Sequence, residues 1–276
     1  MAKLALSDEI LMEIEKPARY IGNEVNMVKK NPEDIDIRFC MCFPDVYEIG
    51  MSHLGIQIIY DTINKREDAY CERVYSPWPD LDKIMREQNI SLFSLETQTP
   101  IKKFDFLGIT LQYEMCYTNI LQILELSGIP IWAKERTLED PIVFGGGPCS
   151  YNPEPIANFF DVFYIGEGET RYHDVFELYK KLRQQGASRE EMLYQISKIP
   201  GMYVPSMYEV TYKADGTIAS FEPVKDDIPR KITKEIVLDF DKAPYPTKPL
   251  VPYIKATQDR VTLEIMSCLL YTSDAA

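Results

Sequence analysis

Short apolar runs alternate with amphipathic segments from residue 35 to about residue 200, and this alternation restricts the fold more than any other feature of the sequence. Four of the runs have the length of buried strands: IDIRFCMCF (35–43), FDFLGITLQ (104–112), PIVFGGG (141–147) and DVFYIG (161–166). The segments between them have helical spacing, and such an alternation produces parallel strands joined by crossover helices. We therefore expect an α/β fold, a Rossmann-like, doubly wound parallel sheet with helices on both faces.

The expected sheet domain covers residues 35–200. CERVYS (71–76) and ISLFSLE (90–96) are candidates for further strands within it. Residues 1–34 precede it and have the pattern of one amphipathic helix that ends at Asn31-Pro32, since proline stops a helix. The sequence therefore predicts an N-terminal helical extension in front of the sheet domain.

The region after the sheet domain, residues 201–255, has a different pattern. Two alternating runs flank Ala214-Asp215-Gly216, which is typical of a β-hairpin. The residues that follow are rich in proline and charge and resemble a linker that lies on a surface. We expect a C-terminal hairpin and linker outside the parallel sheet.

Charge and cysteine content exclude several classes of protein. The net charge is −13 at pH 7 and the basic residues are scattered, so a general nucleic-acid binder is excluded, because phosphate binding needs clustered cations. No apolar stretch approaches the ~20 residues that span a bilayer, and the N-terminus lacks a signal peptide's apolar centre. We expect a cytoplasmic protein without membrane segments. The six cysteines are dispersed without a CxxC pair, so we expect no disulfide framework and no complete metal site.

Glycine-rich loops follow two neighbouring strand candidates. FGGGP (144–148) ends one and GEGE (166–169) follows the next. In an open parallel sheet, ligands bind outside the carboxyl ends of the strands, and glycine lets a ligand approach the main chain. These loops predict a cofactor tail that runs along bare backbone, while tight turns without a ligand are the alternative. GxGxxG and P-loop motifs are absent, which disfavours a nicotinamide enzyme or an ATPase.

A long ordered match gives these loops a family context. The run from FDFLGITLQYEMCYTNILQILELSGIPIW through IVFGGGPCSYNPEPIANFFDVFYIGEGE resembles the cobalamin-binding-type Rossmann domain that precedes the catalytic barrel in many radical S-adenosylmethionine proteins. FPDVYEIGMSHLGIQIIYDTIN, CERVYSPWPD, PGMYVPSMYEV and VPYIKATQDRVTLEIM resemble one largely uncharacterised subfamily of them. The resemblance covers nearly the whole chain up to Met266.

The resemblance implies a small-molecule cofactor, cobalamin, and a catalytic barrel in the same polypeptide. In the complete protein it implies reductive cleavage of S-adenosylmethionine at a 4Fe–4S cluster, with a methyl, sulfur or rearrangement acceptor as substrate. The cofactor-binding residues that we predict on this basis lie in four loops: Tyr47, Gly50 and Ser52; Thr110 and Leu111; Gly145, Gly146, Gly147 and Pro148; and Gly166, Glu167 and Gly168. We expect Glu167 and Glu169 to cap a helix N-terminus or to contact the cofactor tail rather than to transfer protons.

The first departure from the family pattern concerns the cobalt ligand. Family members that bind cobalamin with its lower base displaced have Asp-x-His-x-x-Gly after the first strand. This chain has Met51-Ser52-His53-Leu54-Gly55, in which both the aspartate and the spacing differ. We therefore expect His53 to begin a helix and to donate to nearby backbone, and we expect any cobalamin to bind without a histidine ligand.

The second departure concerns the cluster. The family continues from LEIM into a CxxxCxxC motif, whose three thiolates hold a 4Fe–4S cluster. Here Cys268 stands alone in residues 267–276, a stretch that we expect to be non-native. Residues 256–276 are then a truncated start of the barrel, and the cluster and S-adenosylmethionine belong to the missing part. The chain is expected to be a non-catalytic front part of a longer enzyme.

Two other classes of function stay open. A Rossmann-like module that has lost its cofactor would dock a partner or the barrel, and the missing Asp-x-His-x-x-Gly favours this alternative. An independent small-molecule enzyme is disfavoured, because the chain has only two histidines and lacks a convergent nucleophile–base set.

Overall fold

The computed structural model describes residues 4–168, 170–258, 260 and 262. Its main sheet has six strands in the order β2-β1-β3-β4-β5-β6, of which the first five are parallel and β6 is antiparallel to β5. The strands are β1 Ile37–Phe43, β2 Ala69–Tyr75, β3 Phe106–Thr110, β4 Ile142–Gly146, β5 Val162–Tyr164 and β6 Met202–Tyr203. The predicted mostly parallel α/β fold is confirmed.

Helices cover both faces of the sheet. They are α1 Asp8–Glu13, α2 Tyr47–Met51, α3 Leu54–Asn64, α4 Pro79–Gln88, α5 Tyr117–Leu126, α6 Tyr172–Gln184 and α7 Arg189–Ile196. Helices α3, α6 and α7 share one apolar cluster, and α1, α4 and α5 share the other. Because side chains alternate along a strand, β1 places Phe39 and Met41 in the first cluster and Cys40 and Cys42 in the second.

The N-terminal region contains a much shorter helix than predicted. Among residues 4–34, the α-helical part is Asp8–Glu13, and Ser7 caps it by accepting a hydrogen bond from the Ile10 N–H. The helix ends ahead of Lys16-Pro17, because a residue before proline avoids the α region, and Lys16 has φ 54°. The periodic apolar residues that suggested a longer helix, Leu6, Ile10 and Ile14, pack in the cluster under α4 and α5.

The predicted strand at 90–96 is also absent from the described sheet. This segment lies along the outer edge of β2, where the Leu95 N–H donates to the Arg73 carbonyl at 2.8 Å. Arg73, fully buried, pairs with Glu96 at 2.6 Å and with Glu24 of the N-terminal region at 2.9 Å. Burial raises the pKa of Glu96 to about 7, an effect that the Arg73 charge opposes. Ion pairs therefore replace a seventh strand at this edge.

The predicted hairpin is confirmed. Strands β7 Tyr208–Tyr212 and β8 Ile218–Pro223 form a separate antiparallel pair, and Gly216 has φ 82° in the turn between them. The linker then returns to the sheet domain, where Glu235 forms a parallel bridge with Gly166. We name residues 234–237 the strap.

Further sequence predictions concern the C-terminal residues, the domain boundaries and membrane-spanning segments. Most of 256–276, including Cys268, lies outside the described residues, and the domain boundaries at 34, 200 and 255 stay predictions. Within the part of the chain that the structure describes, every helix is too short or too polar to cross a bilayer.

Candidate functional site

A cavity of about 190 Å³ lies over the carboxyl-terminal parts of β3 and β4, on the face that α3 and α6 cover. It is next to the point where the strand order reverses, since β2 and β3 lie on opposite sides of β1. Its walls are mainly apolar, with Ile56 and Ile59 from α3 and Tyr172 and Val175 from α6. This is the location at which open α/β sheets bind ligands.

The two predicted loops after β3 and β4 meet in this cavity. Thr110 pairs with Gly146 in the parallel register, and both line the cavity. A Cβ atom added at Gly146 would meet no other heavy atom within 4 Å. The absent side chain at Gly146 therefore leaves free space above the sheet.

At Gly145 and Gly147, the neighbouring glycines of this loop, close contacts within the protein exclude a side chain. A Cβ at Gly145 would come within 2.9 Å of Leu111 and Phe163 on the opposite face of the sheet. At Gly147, where φ is 113°, it would come within 2.9 Å of the Leu111 carbonyl oxygen. These two glycines allow close packing of the protein itself, although both also line the cavity.

The glycines of the loop after β5 also allow close packing within this chain. A Cβ at Gly166 would lie 2.7 Å from the carbonyl oxygen of Glu235, because the strap runs directly beside it. At Gly168 it would lie 3.1 Å from Ile59. Both glycines line the cavity, but the close neighbour that each accommodates belongs to this chain.

Thr110, Gln112 and His53 are polar residues of the cavity wall near the end of β3. Thr110 is buried, and its Oγ1 accepts a hydrogen bond from Gln112 Nε2 at 3.0 Å. His53 Nδ1 accepts from the Ile56 N–H at 3.4 Å and caps α3. His53 thus begins a helix as predicted, but it accepts where we expected it to donate. Burial lowers the pKa of His53, opposed by a hydrogen bond to Gln112, which favours the neutral ring that capping requires.

Two predicted residues of the first loop lie in the core instead of the cavity wall. The Tyr47 hydroxyl, buried beside Tyr75, donates to Glu24 at 3.0 Å. Burial raises the pKa of Tyr47, so the phenol keeps its proton. A Cβ at Gly50 would come within 2.2 Å of the Tyr75 ring. Both residues therefore serve the packing of α2 against the sheet.

The other predicted residues outside the cavity wall contact main chain or solvent. Ser52 Oγ donates to the Glu48 carbonyl at 2.8 Å and accepts from the Gln258 N–H at 2.9 Å. Leu111 is buried, and its N–H donates to the Gly146 carbonyl at 2.6 Å. Pro148 is exposed at the start of a 3-10 turn. None of these contacts involves the space above Gly146.

Glu167 binds the strap. Its N–H donates to the Glu235 carbonyl at 3.0 Å, and its carboxylate accepts from the Val237 N–H. The prediction that Glu167 caps a helix is wrong, because α6 begins after Arg171 without a side-chain cap. Glu169 lies outside the described residues.

Sequence reasoning missed Arg171, which also lines the cavity. Its Nε donates to Glu235 Oε2 at 2.8 Å, and its Nη1 to Asp174 Oδ2 at 3.0 Å. The sequence carries no signal for the first pair, because its partners are 64 residues apart.

The fold and this edge of the sheet define an open, mostly parallel α/β domain with a cavity at the carboxyl ends of its strands. The sequence of residues 55–205 matches the protein family described as the N-terminal region of radical SAM proteins. The match covers more than half of the chain, and the chain belongs to this family. The family that the motifs suggested is therefore confirmed.

One curated relative and two solved structures place the chain among longer proteins. An uncharacterised protein of Methanocaldococcus jannaschii, MJ0966, is 32% identical over 130 residues, which are 46% of this chain and 23% of that protein. The cobalamin-dependent radical enzyme OxsB, solved with aqua-cobalamin and S-adenosylmethionine, is 12% identical with a TM-score of 0.37, over 70% of this chain and 24% of OxsB.

The methyltransferase TsrM from Kitasatospora setae, solved with cobalamin and a [4Fe–4S] cluster, is 13% identical with a TM-score of 0.37, over 70% of this chain and 30% of TsrM. The similarity to these two structures is too low to indicate how the cavity of this chain binds a ligand. The chain spans about a quarter of the length of the relatives it matches.

Proposed function

We propose that this chain is the cobalamin-binding domain of a radical S-adenosylmethionine enzyme, and that the cavity over β3 and β4 takes the nucleotide tail of the cofactor. The observation that carries the proposal is the free space at Gly146. A strand end without a side chain, next to a buried hydroxyl at Thr110, accommodates a flat ring and one hydrogen bond.

The size of the cavity supports partial burial of a large ligand. Its volume of about 190 Å³ is smaller than the roughly 300–1,000 Å³ of a pocket for a whole drug-sized ligand. A ring of nucleobase size would pack between Ile56 and the bare strand end, with Thr110 and Gln112 as hydrogen-bonding partners. The corrin would lie outside the edge of the sheet.

The residues present fit the tail better than they fit a histidine-ligated cobalt. His53 Nδ1 accepts the Ile56 N–H, so the neutral ring carries its proton on Nε2 and has no free lone pair for cobalt. The cofactor would therefore bind without a histidine ligand. Bound cobalamin would supply cobalt-centred methyl-transfer or electron-transfer chemistry that amino-acid side chains lack.

The complete enzyme would carry the remaining cofactors outside this chain. We place the 4Fe–4S cluster and S-adenosylmethionine in a barrel that follows in the same polypeptide, and this chain alone would not be catalytic. A cytoplasmic location suits such an enzyme, since cluster thiolates need a reducing compartment.

Retention of a corrinoid tests the proposal. The chain is mixed with hydroxocobalamin, freed from unbound cofactor by gel filtration, and measured by visible absorbance. We expect wild type to retain corrin bands and Gly146→Val to weaken binding by at least ~10-fold, because the new side chain fills the space for the ring.

Ala219→Val is the matched control, since it adds bulk to an exposed position of β8. It should retain as much cofactor as wild type. No retention by wild type at high cofactor concentration would contradict the proposal, as would equal retention by Gly146→Val.

Docking of the barrel is the second candidate function, and the linker contacts favour it. Ser52 accepts from the Gln258 N–H, the Glu48 carbonyl accepts from the Thr257 N–H at 3.2 Å, and Glu167 binds the strap. Two of the four predicted cofactor loops thus hold the linker or the residues directly after it, which would lead into the barrel. A chain that retains no corrinoid would favour this function over the first.

A further inference from the structure

Arg171 gives the cavity one permanent positive charge. Among the described residues that line it, the others are apolar, small or uncharged polar groups, with a histidine whose lowered pKa favours the neutral form. The Arg171 side chain is 31% exposed and pairs with Glu235, which is 20% exposed, and through Nη1 with Asp174, which is 45% exposed and lies outside the cavity lining. A partly exposed pair of this kind contributes little to stability, so its partners can be exchanged.

The main chain holds the Glu235 carboxylate at this position. The Glu235 N–H donates to the Ile165 carbonyl at 3.1 Å, and its own carbonyl accepts from Glu167 at 3.0 Å. Gly166 and Gly201 leave room for it, since a Cβ at Gly201 would come within 2.9 Å of Glu235 Cγ. A defined backbone path thus brings a carboxylate to the arginine of an otherwise apolar cavity.

We propose that Arg171 is the anion-binding residue of the cavity, and that Glu235 occupies its guanidinium until an anionic group of the ligand replaces the carboxylate. The proposal rests on the function proposed above and defines the ligand further as a flat ring that carries a phosphate. Guanidinium groups bind carboxylate and phosphate with the same fork of N–H donors, so one can substitute for the other.

The exchange has a consequence for the linker. Once the anion binds Arg171, the strap loses the anchor of its Glu235 side chain and keeps the main-chain hydrogen bonds to Ile165 and Glu167 and the hydrogen bond from the Val237 N–H to the Glu167 carboxylate. Binding of a phosphate-bearing ligand would therefore loosen the strap, whereas binding of the uncharged ring would leave it in place.

A ligand series on the chain tests the role of Arg171. The probes are 5,6-dimethylbenzimidazole, its ribonucleoside and its ribonucleotide, with adenosine monophosphate as a general nucleotide, and calorimetry measures the affinities. We expect wild type to bind the ribonucleotide about fivefold more tightly than the ribonucleoside. Arg171→Gln should remove this preference, so that the ribonucleotide and the ribonucleoside bind the variant with equal affinity.

Glu235→Gln separates anion binding from a purely structural ion pair. If Glu235 competes with the phosphate, its removal raises ribonucleotide affinity, whereas a structural pair would make Arg171→Gln and Glu235→Gln weaken binding alike. Arg183→Gln, an exposed arginine of the same helix that pairs with Asp105, is the control and should bind like wild type.

Three further outcomes distinguish the role of Arg171 from the proposed function and from the source of the ring. Equal affinity of wild type for ribonucleoside and ribonucleotide would overturn the role of Arg171 and leave the proposed function intact. Failure of all four probes to bind would overturn the proposed function as well. Adenosine monophosphate binding as tightly as the benzimidazole ribonucleotide would support Arg171 as the anion-binding residue and contradict cobalamin as the source of the ring.

Discussion

The loop after β4 and the loop after β5 look alike in sequence and differ in structure. Both are glycine-rich and both line the same cavity. In the first loop, a Cβ at Gly146 would meet no heavy atom of the described residues within 4 Å, whereas in the second, Gly166 lacks a side chain because the strap lies against it. A bare strand end can accommodate a ligand or another part of the same chain, and only the three-dimensional packing distinguishes the two.

The difference assigns separate roles to neighbouring parts of one site. The Gly146 side faces the proposed ring, and the Gly166 side anchors the linker through Glu235. Arg171 lies in the cavity wall and also pairs with Glu235, so it connects the two sides. Changes on the first side should alter binding, and changes on the second should alter the attachment of the linker.

The largest expected effect is on stability. Gly166→Val places a branched side chain against the Glu235 main chain, at a residue with φ 159°, so we expect the free energy of unfolding to fall by about 2 kcal/mol. Gly146→Val, which enters free space, should lower it by less than ~1 kcal/mol. Urea unfolding followed by circular dichroism measures both variants, and equal losses would remove the distinction between the loops.

A smaller effect is expected at the strap. Glu235→Ala removes the carboxylate that binds Arg171 and should speed tryptic cleavage after Lys234 about threefold, because a partly exposed ion pair contributes ~0.5–1 kcal/mol to holding the segment. The control is Asp239→Ala in the same linker, which removes an exposed pair with Lys242. If both variants are cleaved at the same rate, Arg171 does not anchor the strap.

The smallest effect concerns His53 and pH. Because burial lowers its pKa in the folded state, the unfolded chain takes up a proton first as pH falls below about 6.5. The stability that neutral His53 provides is therefore fully present above this pH and is progressively lost as the pH falls below it. Urea unfolding at pH 7.5 and 5.5 measures the loss.

His53→Asn keeps an N-cap on α3 and removes the titrating ring, so the difference between the two pH values should shrink. An undiminished difference would show that other groups cause it. The same variant should keep the visible spectrum of bound corrinoid unchanged if the cofactor binds without a histidine ligand, and a shift of the corrin bands relative to wild type would contradict this.

The strand pattern and the topology rule predicted much of this molecule. Five strand segments, the main helices and the hairpin were predicted from periodicity and turn residues, and the loops of Thr110 and Gly146 were expected at one edge because parallel strands end together. The segments 1–34 and 90–96 were assigned wrongly. Their apolar residues pack against α4, α5 and the edge of β2, where tertiary contacts outweigh local propensity.

By itself, the sequence determined the α/β class, the family and the edge of the sheet at which a ligand would bind, because these follow from local periodicity and from motifs that are continuous along the chain. Only the tertiary structure decided which glycine faces empty space, that Tyr47 and Gly50 belong to the core, and that Arg171 pairs with Glu235. The physical reason is that free space and ion pairing depend on how distant segments pack, and a glycine has the same letter whether a ligand or a neighbouring strand lies against it.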